Sequence, residues 1–335
     1  MSQLSLEPPS TFWVPWVDIF QHLGVPQGFN LGPLLFLIFI DDITWVLSSS
    51  SILLYADDIK LYKSISTASD VLALQHDLDA LVSWSKVNCL PFNIKKCKRI
   101  TFTRETQGVI KHDYKIGQTI LCSTDQIRDL GVIMDTRLYF DTHICQLISK
   151  SKKAMGFVMR SASGFRDVRT FLTLYCAFVR SNMEFGALVW NPIYKKHIDL
   201  LESIQWRFLK FTYFKIFQYY PNEIAYDELL AGFRISTLEN RRKLAMLDYL
   251  HNVLQGHGSQ VILREVSLRI PRSNARLMET FYINDKNKGP TRHSFLTRAC
   301  ALYNSMEKES GPHALDILSQ CRNDFRLACR TILLE

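Results

Sequence analysis

Ser51-Ile52-Leu53-Leu54-Tyr55-Ala56-Asp57-Asp58-Ile59-Lys60-Leu61-Tyr62 is the stretch on which the fold turns. Two short apolar runs flank a pair of adjacent carboxylates. The pattern predicts two strands joined by a tight turn, with both acids at its tip. Neighbouring carboxylates repel each other, and a cation relieves that repulsion. Hard divalent ions such as magnesium favour carboxylate oxygens. An isolated acidic pair is more often only a solvated turn, so its meaning rests on what surrounds it.

Upstream lies Gly24-Val25-Pro26-Gln27-Gly28-Phe29-Asn30-Leu31-Gly32-Pro33-Leu34-Leu35-Phe36. Three glycines and two prolines mark a shaped loop. The apolar run after it predicts a helix up to Leu47, too continuously hydrophobic for one amphipathic face and therefore expected to be buried on several sides. Ser48 to Ser51 read as a polar turn ahead of the acidic hairpin.

In this order and spacing, the two motifs resemble the reverse transcriptases of non-long-terminal-repeat (LINE-type, jockey-like) retrotransposons. The resemblance implies RNA-templated DNA synthesis. It assigns Asp57 and Asp58 as catalytic, metal-holding acids, with two magnesium ions in the complete enzyme. It places Gln27 and Gly28, with Tyr55 and Ala56, around the nucleotide and template. Phe29-Asn30 departs from the Ser-Val usual in that family. The resemblance also implies another catalytic Asp, on a strand several dozen residues before the glycine loop. Only 23 residues precede Gly24, and Asp18 lies too close to the loop and outside the expected pattern. The expectation is therefore an incomplete polymerase palm, lacking that strand and the fingers, with one sheet edge unpaired and no activity alone. The alternative is a non-catalytic nucleic-acid-binding remnant, or a subunit completed by another chain.

Downstream, Val71, Leu74, Leu78, Leu81 and Val82 recur at helical spacing across residues 67–87, with Thr67 and Asp70 placed to cap. Asn88 to Lys98 leads to a strand at Arg99–Thr103. It resembles the family's next palm motif, which makes Lys96 the candidate for contact with nucleotide phosphates; a solvated lysine cluster is the plain alternative. Residues 114–116 and 119–121 are spaced to pair across Gly117-Gln118. Asp129 to Asp135 resembles a primer-grip hairpin turning at Leu130-Gly131.

From Asp141 on, the periodicity is helical throughout. In residues 194–214, Lys195, Lys196, Arg207 and Lys210 alternate with Trp206, Phe208, Phe211 and Tyr213, a combination suited to a nucleic-acid backbone, although such aromatics more often form core. Trp190-Asn191-Pro192 predicts a helix stop. Helices are expected near Glu223–Leu230 and over Leu238–Leu254, followed by a polar linker at residues 255–260.

The fold class expected is α+β: an irregular segment at 1–23, a partial palm at 24–140, a helical thumb-like region at 141–254, and a linker with a basic C-terminal region at 255–335. The formal net charge of +8 is split, with −6 on residues 1–94 and +14 on the remainder. The basic part suits a polyanion. The implied partners are an RNA template, a DNA primer or RNA–DNA hybrid, and deoxynucleotides. The run from Leu31 to Ile40 is too short to span a bilayer. No Cys-x-x-Cys pair occurs among eight cysteines. An intracellular setting, nuclear or cytoplasmic, is expected.

Overall fold

The computed structural model describes residues 9–15, 31–103, 110–220, 223–269, 279–283, 294–310 and 315–334. It divides into two compact units, Met1–Tyr139 and Phe140–Glu335.

The first unit is mixed. Strand β1 (Pro9–Pro15) comes first, and α1 (Gly32–Ile40) runs into a 3-10 turn at Asp41–Val46. Strands β2 (Ser51–Tyr55) and β3 (Asp58–Ser64) form the acidic hairpin. Helix α2 (Ala68–Val87) follows, then β4 (Lys98–Thr101). The strands β5 (Lys115–Ile116), β6 (Thr119–Ile120) and β7 (Cys122–Ser123) are short, and β8 (Gln126–Asp129) turns into β9 (Val132–Asp135). The main sheet has the order β2-β3-β1-β4-β7, while β5–β6 and β8–β9 are separate pairs.

The amphipathic reading of residues 67–87 is realised in α2. Thr67 and Asp70 make a reciprocal capping box, and Val71, Leu74, Leu78 and Leu81 lie in one core with Ile59 and Leu61 of β3 and Ile40 and Ile43. Gly117, at a φ of 60°, turns β5 into β6 as the spacing predicts.

Two expectations are corrected here. The segment read as irregular contains β1, which pairs antiparallel with β3 from Pro9↔Ser64 to Pro15↔Asp58 and with β4 on its other side. The edge of β3 expected to be unpaired is therefore occupied. Backbone pairing needs an extended run without an interior proline, and here both prolines sit at the strand ends. The second correction concerns α1. Only Ile40 of this helix is buried; Leu34, Leu35, Leu37, Ile38 and Phe39 are 46–65% exposed. Continuous hydrophobicity reports an appetite for burial, and burial still requires elements on every side.

The second unit is helical: α3 (Asp141–Ser161), α4 (Val168–Leu174), a π-helical turn at Tyr175–Arg180, α5 (Ser181–Glu184), α6 (Ala187–Trp190), α7 (Lys195–Phe217), α8 (Tyr226–Phe233), α9 (Leu238–Leu254), α10 (Gln260–Glu265), α11 (Phe295–Ser310) and α12 (Arg322–Leu334). Helix α6 stops at the Trp190-Asn191-Pro192 break. Tyr175 stacks on Phe208 at 4.7 Å. Its hydroxyl donates to Gln205 Oε1 at 2.9 Å, and Gln205 Nε2 donates to the Tyr226 hydroxyl at 2.9 Å. Residues after 255 share a core with α9: Met246, Leu247 and Leu250 lie with Tyr303, Phe325 and Cys329. No helix of the described residues is long and apolar enough to cross a membrane.

Candidate functional site

The acids sit where the alternation predicts. Tyr55 pairs with Asp58, so Ala56 and Asp57 form a two-residue turn. Ala56 has a φ of 50°, a left-handed conformation that is uncommon for residues other than glycine and is characteristic of strained functional turns. Tyr55 is 63% exposed; Ala56 and Asp57 are exposed and Asp58 is half-buried. Partial burial first, and the Asp57 charge second, push the Asp58 carboxyl above its ordinary value, against the lowering effect of Lys60. A divalent cation at the tip would remove both penalties.

Two supports hold this hairpin, and neither is visible in a local sequence window. Asp77 of α2 is fully buried and accepts five hydrogen bonds from the serine turn that enters β2. These come from the backbone N–H of Ser48, Ser49 and Ser50 at 2.7–3.0 Å and from the hydroxyls of Ser48 and Ser49 at 2.8 and 2.9 Å. They hold its carboxyl far below the usual range, overcoming the opposing effect of burial. Lys60 of β3, 8% exposed, forms an ion pair with Asp129 at 2.5 Å. Asp129 ends β8, so the pair ties the acidic hairpin to the β8–β9 hairpin. Leu130 and Gly131 form the turn of that second hairpin, at φ of 43° and 91°. Both values are positive, as a type I′ turn requires.

The remaining predicted residues are scattered. Lys96 is exposed in the turn before β4. Gln27 and Gly28 lie outside the described residues, as does Asp18. In the second unit, Lys195, Lys196 and Arg207 are exposed on α7 and Lys210 is half-buried. Lys195 pairs with Asp199 at 3.1 Å. The Lys210 ammonium lies 4.1 Å from the centroid of the Trp206 ring, and Lys196 lies 5.5 Å from that of Tyr194. The aromatics of α7 divide: Phe208 is core, whereas Trp206 and Phe214 are 40% and 38% exposed on the basic side.

Asp57 and Asp58 offer the hard oxygen donors that magnesium uses, leaving other positions for water and phosphate oxygens. Among the described residues, no group of three or more His, Cys, Asp or Glu gathers to hold a metal. The pair fits part of one coordination sphere and is too small for two ions.

Residues 5–134 match the family model of reverse transcriptase (RNA-dependent DNA polymerase). The chain is 29% identical over 204 residues to the RNA-directed DNA polymerase from mobile element jockey of Drosophila funebris, covering 57% of this chain and 22% of that protein. It is 25% identical over 191 residues to the probable RNA-directed DNA polymerase from transposon X-element of Drosophila melanogaster, covering 54% and 21%. An uncharacterized protein of Caenorhabditis elegans is 29% identical over 152 residues, 44% of this chain and 74% of that protein. The chain spans about a fifth of the length of the retroelement polymerases it matches. No solved structure matches.

Proposed function

Taking residues 5–134 as a reverse transcriptase domain, distantly homologous to those of jockey-type non-LTR retrotransposons, we propose that this chain is a portion of an RNA-directed DNA polymerase working by two-metal nucleotidyl transfer. The observation that carries the reading is the pair of carboxylates held at the tip of a two-residue turn, with Asp58 destabilised as an anion.

In this reading the first unit is the partial palm and the helices from Asp141 are thumb-like. Asp57 and Asp58 would hold magnesium, which would supply activation of the primer hydroxyl and stabilisation of the leaving pyrophosphate in the complete enzyme. Tyr55 and Ala56 shape the floor beside the nucleotide, together with Gln27 and Gly28. Lys96 takes nucleotide phosphates, and Leu130-Gly131 bring backbone close to the primer end. Lys60, held by Asp129, keeps the acidic hairpin and the primer hairpin in register. The exposed basic face of α7 grips the template–primer backbone without regard to sequence. The setting is intracellular, where nucleic acid and deoxynucleotides are available.

At the acidic turn the described residues supply two carboxylates, Asp57 and Asp58, and clamping two cations needs more. The 335-residue chain is therefore expected to lack polymerase activity by itself. The test is primer extension on an RNA template with magnesium and deoxynucleotides. It compares this chain with a fusion in which the fingers and Asp-bearing strand of a jockey-type relative replace residues 1–15, so that the new strand takes the edge of β3 that β1 occupies. The fusion should make DNA, and Asp57→Asn or Asp58→Asn should abolish it. Synthesis indifferent to both substitutions would overturn the site. The +14 charge after Ile94 favours a second reading, a nucleic-acid-binding remnant without catalysis, which a fusion that binds the hybrid and never extends it would support.

A further inference from the structure

Helices α9 and α12 border a cavity of about 360 Å³ that is unusually rich in arginine. Arg241 and Arg242 reach it from α9, and Arg322, Arg326 and Arg330 from α12. The last three are exposed and spaced four residues apart, which places them on one helix face at steps of about 6 Å.

Only two carboxylates line the same cavity, and each is already engaged. Asp248 accepts both arms of Arg322, at 2.9 and 2.7 Å. Glu184 accepts from Arg241 Nε and Nη2. Arg326 and Arg330 have no carboxylate within ion-pair distance among the described residues. Arg242 is the more telling residue. It is 2% exposed. Its Nε donates to Asn191 Oδ1 at 3.2 Å, and among the described residues neither Nη1 nor Nη2 has a hydrogen-bond partner. A second guanidinium, Arg298, is held beside it on the carbonyls of Asn191 and Pro192 at 2.6 and 3.2 Å. Burial weakens the hold of Arg242 on its proton, against the supporting charges of Glu202, Glu239 and Glu184; burial and the neighbouring Arg242 charge do the same for Arg298.

A buried cation with two orphan donors is costly unless an anion compensates it. Bidentate donors in a fixed fork match phosphate oxygens. Among the described residues three lining guanidinium groups have no carboxylate bonded to them, Arg242 buried and Arg326 and Arg330 exposed along α12, which suits consecutive charges on a strand better than a single small anion. We propose that the α9–α12 groove binds the phosphodiester backbone of a single nucleic-acid strand, a contact separate from the basic face of α7. The choice of a strand over free phosphate rests on the nucleic-acid reading above.

The experiment is fluorescence anisotropy of a labelled 20-nucleotide single strand titrated with the full chain across a range of KCl concentrations. The surface variant Arg326→Glu/Arg330→Glu should weaken binding about tenfold or more. It should also lower the slope of log affinity against log salt by about 1.4, two contacts at about 0.7 each for a single strand. Arg242→Met should weaken binding while raising the melting temperature, because it removes a buried guanidinium with two unbonded donors; a purely structural arginine would lower it. If Arg242→Met fails to fold, the surface variant decides. An unchanged affinity and slope in a folded Arg326→Glu/Arg330→Glu protein overturns the proposal. So does stabilisation by inorganic phosphate that this variant loses while it binds the strand normally, which would assign the groove to free phosphate. A four-site α7 variant, Lys195, Lys196, Arg207 and Lys210 to Ala, separates the two readings. If it loses salt dependence and the groove variant does not, the groove fails and the nucleic-acid reading stands; if neither does, both fail.

Discussion

Asp77 illustrates how a residue far from any chemistry sets the geometry of a site. Its carboxylate collects five donors from Ser48, Ser49 and Ser50, which fixes the chain as it enters β2 and so aims the turn carrying Asp57 and Asp58. Hydrogen bonds to a charged acceptor contribute about 1.5–3 kcal/mol each at most and share their desolvation cost, so Asp77→Ala should lower stability by about 2–4 kcal/mol near pH 7. The pH dependence has a definite sign. The carboxyl titrates lower in the folded state than in the unfolded chain, where its value is near 3.9. The stabilisation is therefore complete well above that value and drains away as acid is added towards the folded one. Urea unfolding at about pH 7 and pH 3 should show the gap between wild type and Asp77→Ala narrowing in acid; a gap that stays constant would refute the account. The acids at the turn were legible because their evidence is local, an alternation broken by two charges. Asp77 and the Lys60–Asp129 pair were not, because their partners stand 27 to 69 residues away and no periodicity encodes them.

At the scale of elements, what the sequence discloses depends on whether an element carries its own reason. Helix α2 does: its apolar spacing and its capping box lie within residues 67–87. The hairpin β8–β9 does too, through Gly131. Strand β1 does not, because a seven-residue run that begins and ends in proline becomes a strand only when β3 and β4 offer it two edges. Helix α1 fails in the opposite sense, since its apolar residues outnumber the surfaces packed on them. The β8–β9 turn also contains a tension that can be measured. Leu130 adopts a left-handed φ of 43° with its side chain 46% exposed, and Asn-Gly is the pair a type I′ turn favours. Leu130→Asn should raise stability by about 0.5–1 kcal/mol, and Gly131→Val should lower it by about 1–2 kcal/mol. Thermal unfolding reads both, and a Leu130→Asn protein that melts lower than wild type would contradict the turn assignment.

Across the whole molecule, the formal charge is unevenly divided, as the proposed function requires of a chain that holds cations in one place and a polyanion in another. The region around the acids carries −6 and the remainder +14. Formal charge overstates what a strand would meet, because some of the basic groups are already committed. On α7, Lys195 is bound to Asp199 at 3.1 Å, an exposed pair one helical turn apart. A phosphate must compete with that carboxylate, so Lys195 adds little to counterion release. Among the described residues Lys196, Arg207 and Lys210 have no such acid, and Lys210 stands over Trp206, which on the proposed reading offers a phosphate contact beside a stacking face. The four-site alanine variant should therefore reduce the salt slope for a single strand by about 2, three contacts at about 0.7 each, in place of the nearly 3 that four free cations would give. Asp199→Asn isolates the difference. It releases Lys195 without adding a charge at the lysine, and an exposed pair of this kind contributes well under about 1 kcal/mol to stability, so the fold should be unaffected. Affinity should rise a few-fold at low salt, the slope should steepen by about 0.7, and the gain should disappear in Asp199→Asn/Lys195→Ala. A gain that persists without Lys195 would mean that Asp199 acts only through the general field of the surface, and that the α7 face is not a set of discrete phosphate contacts.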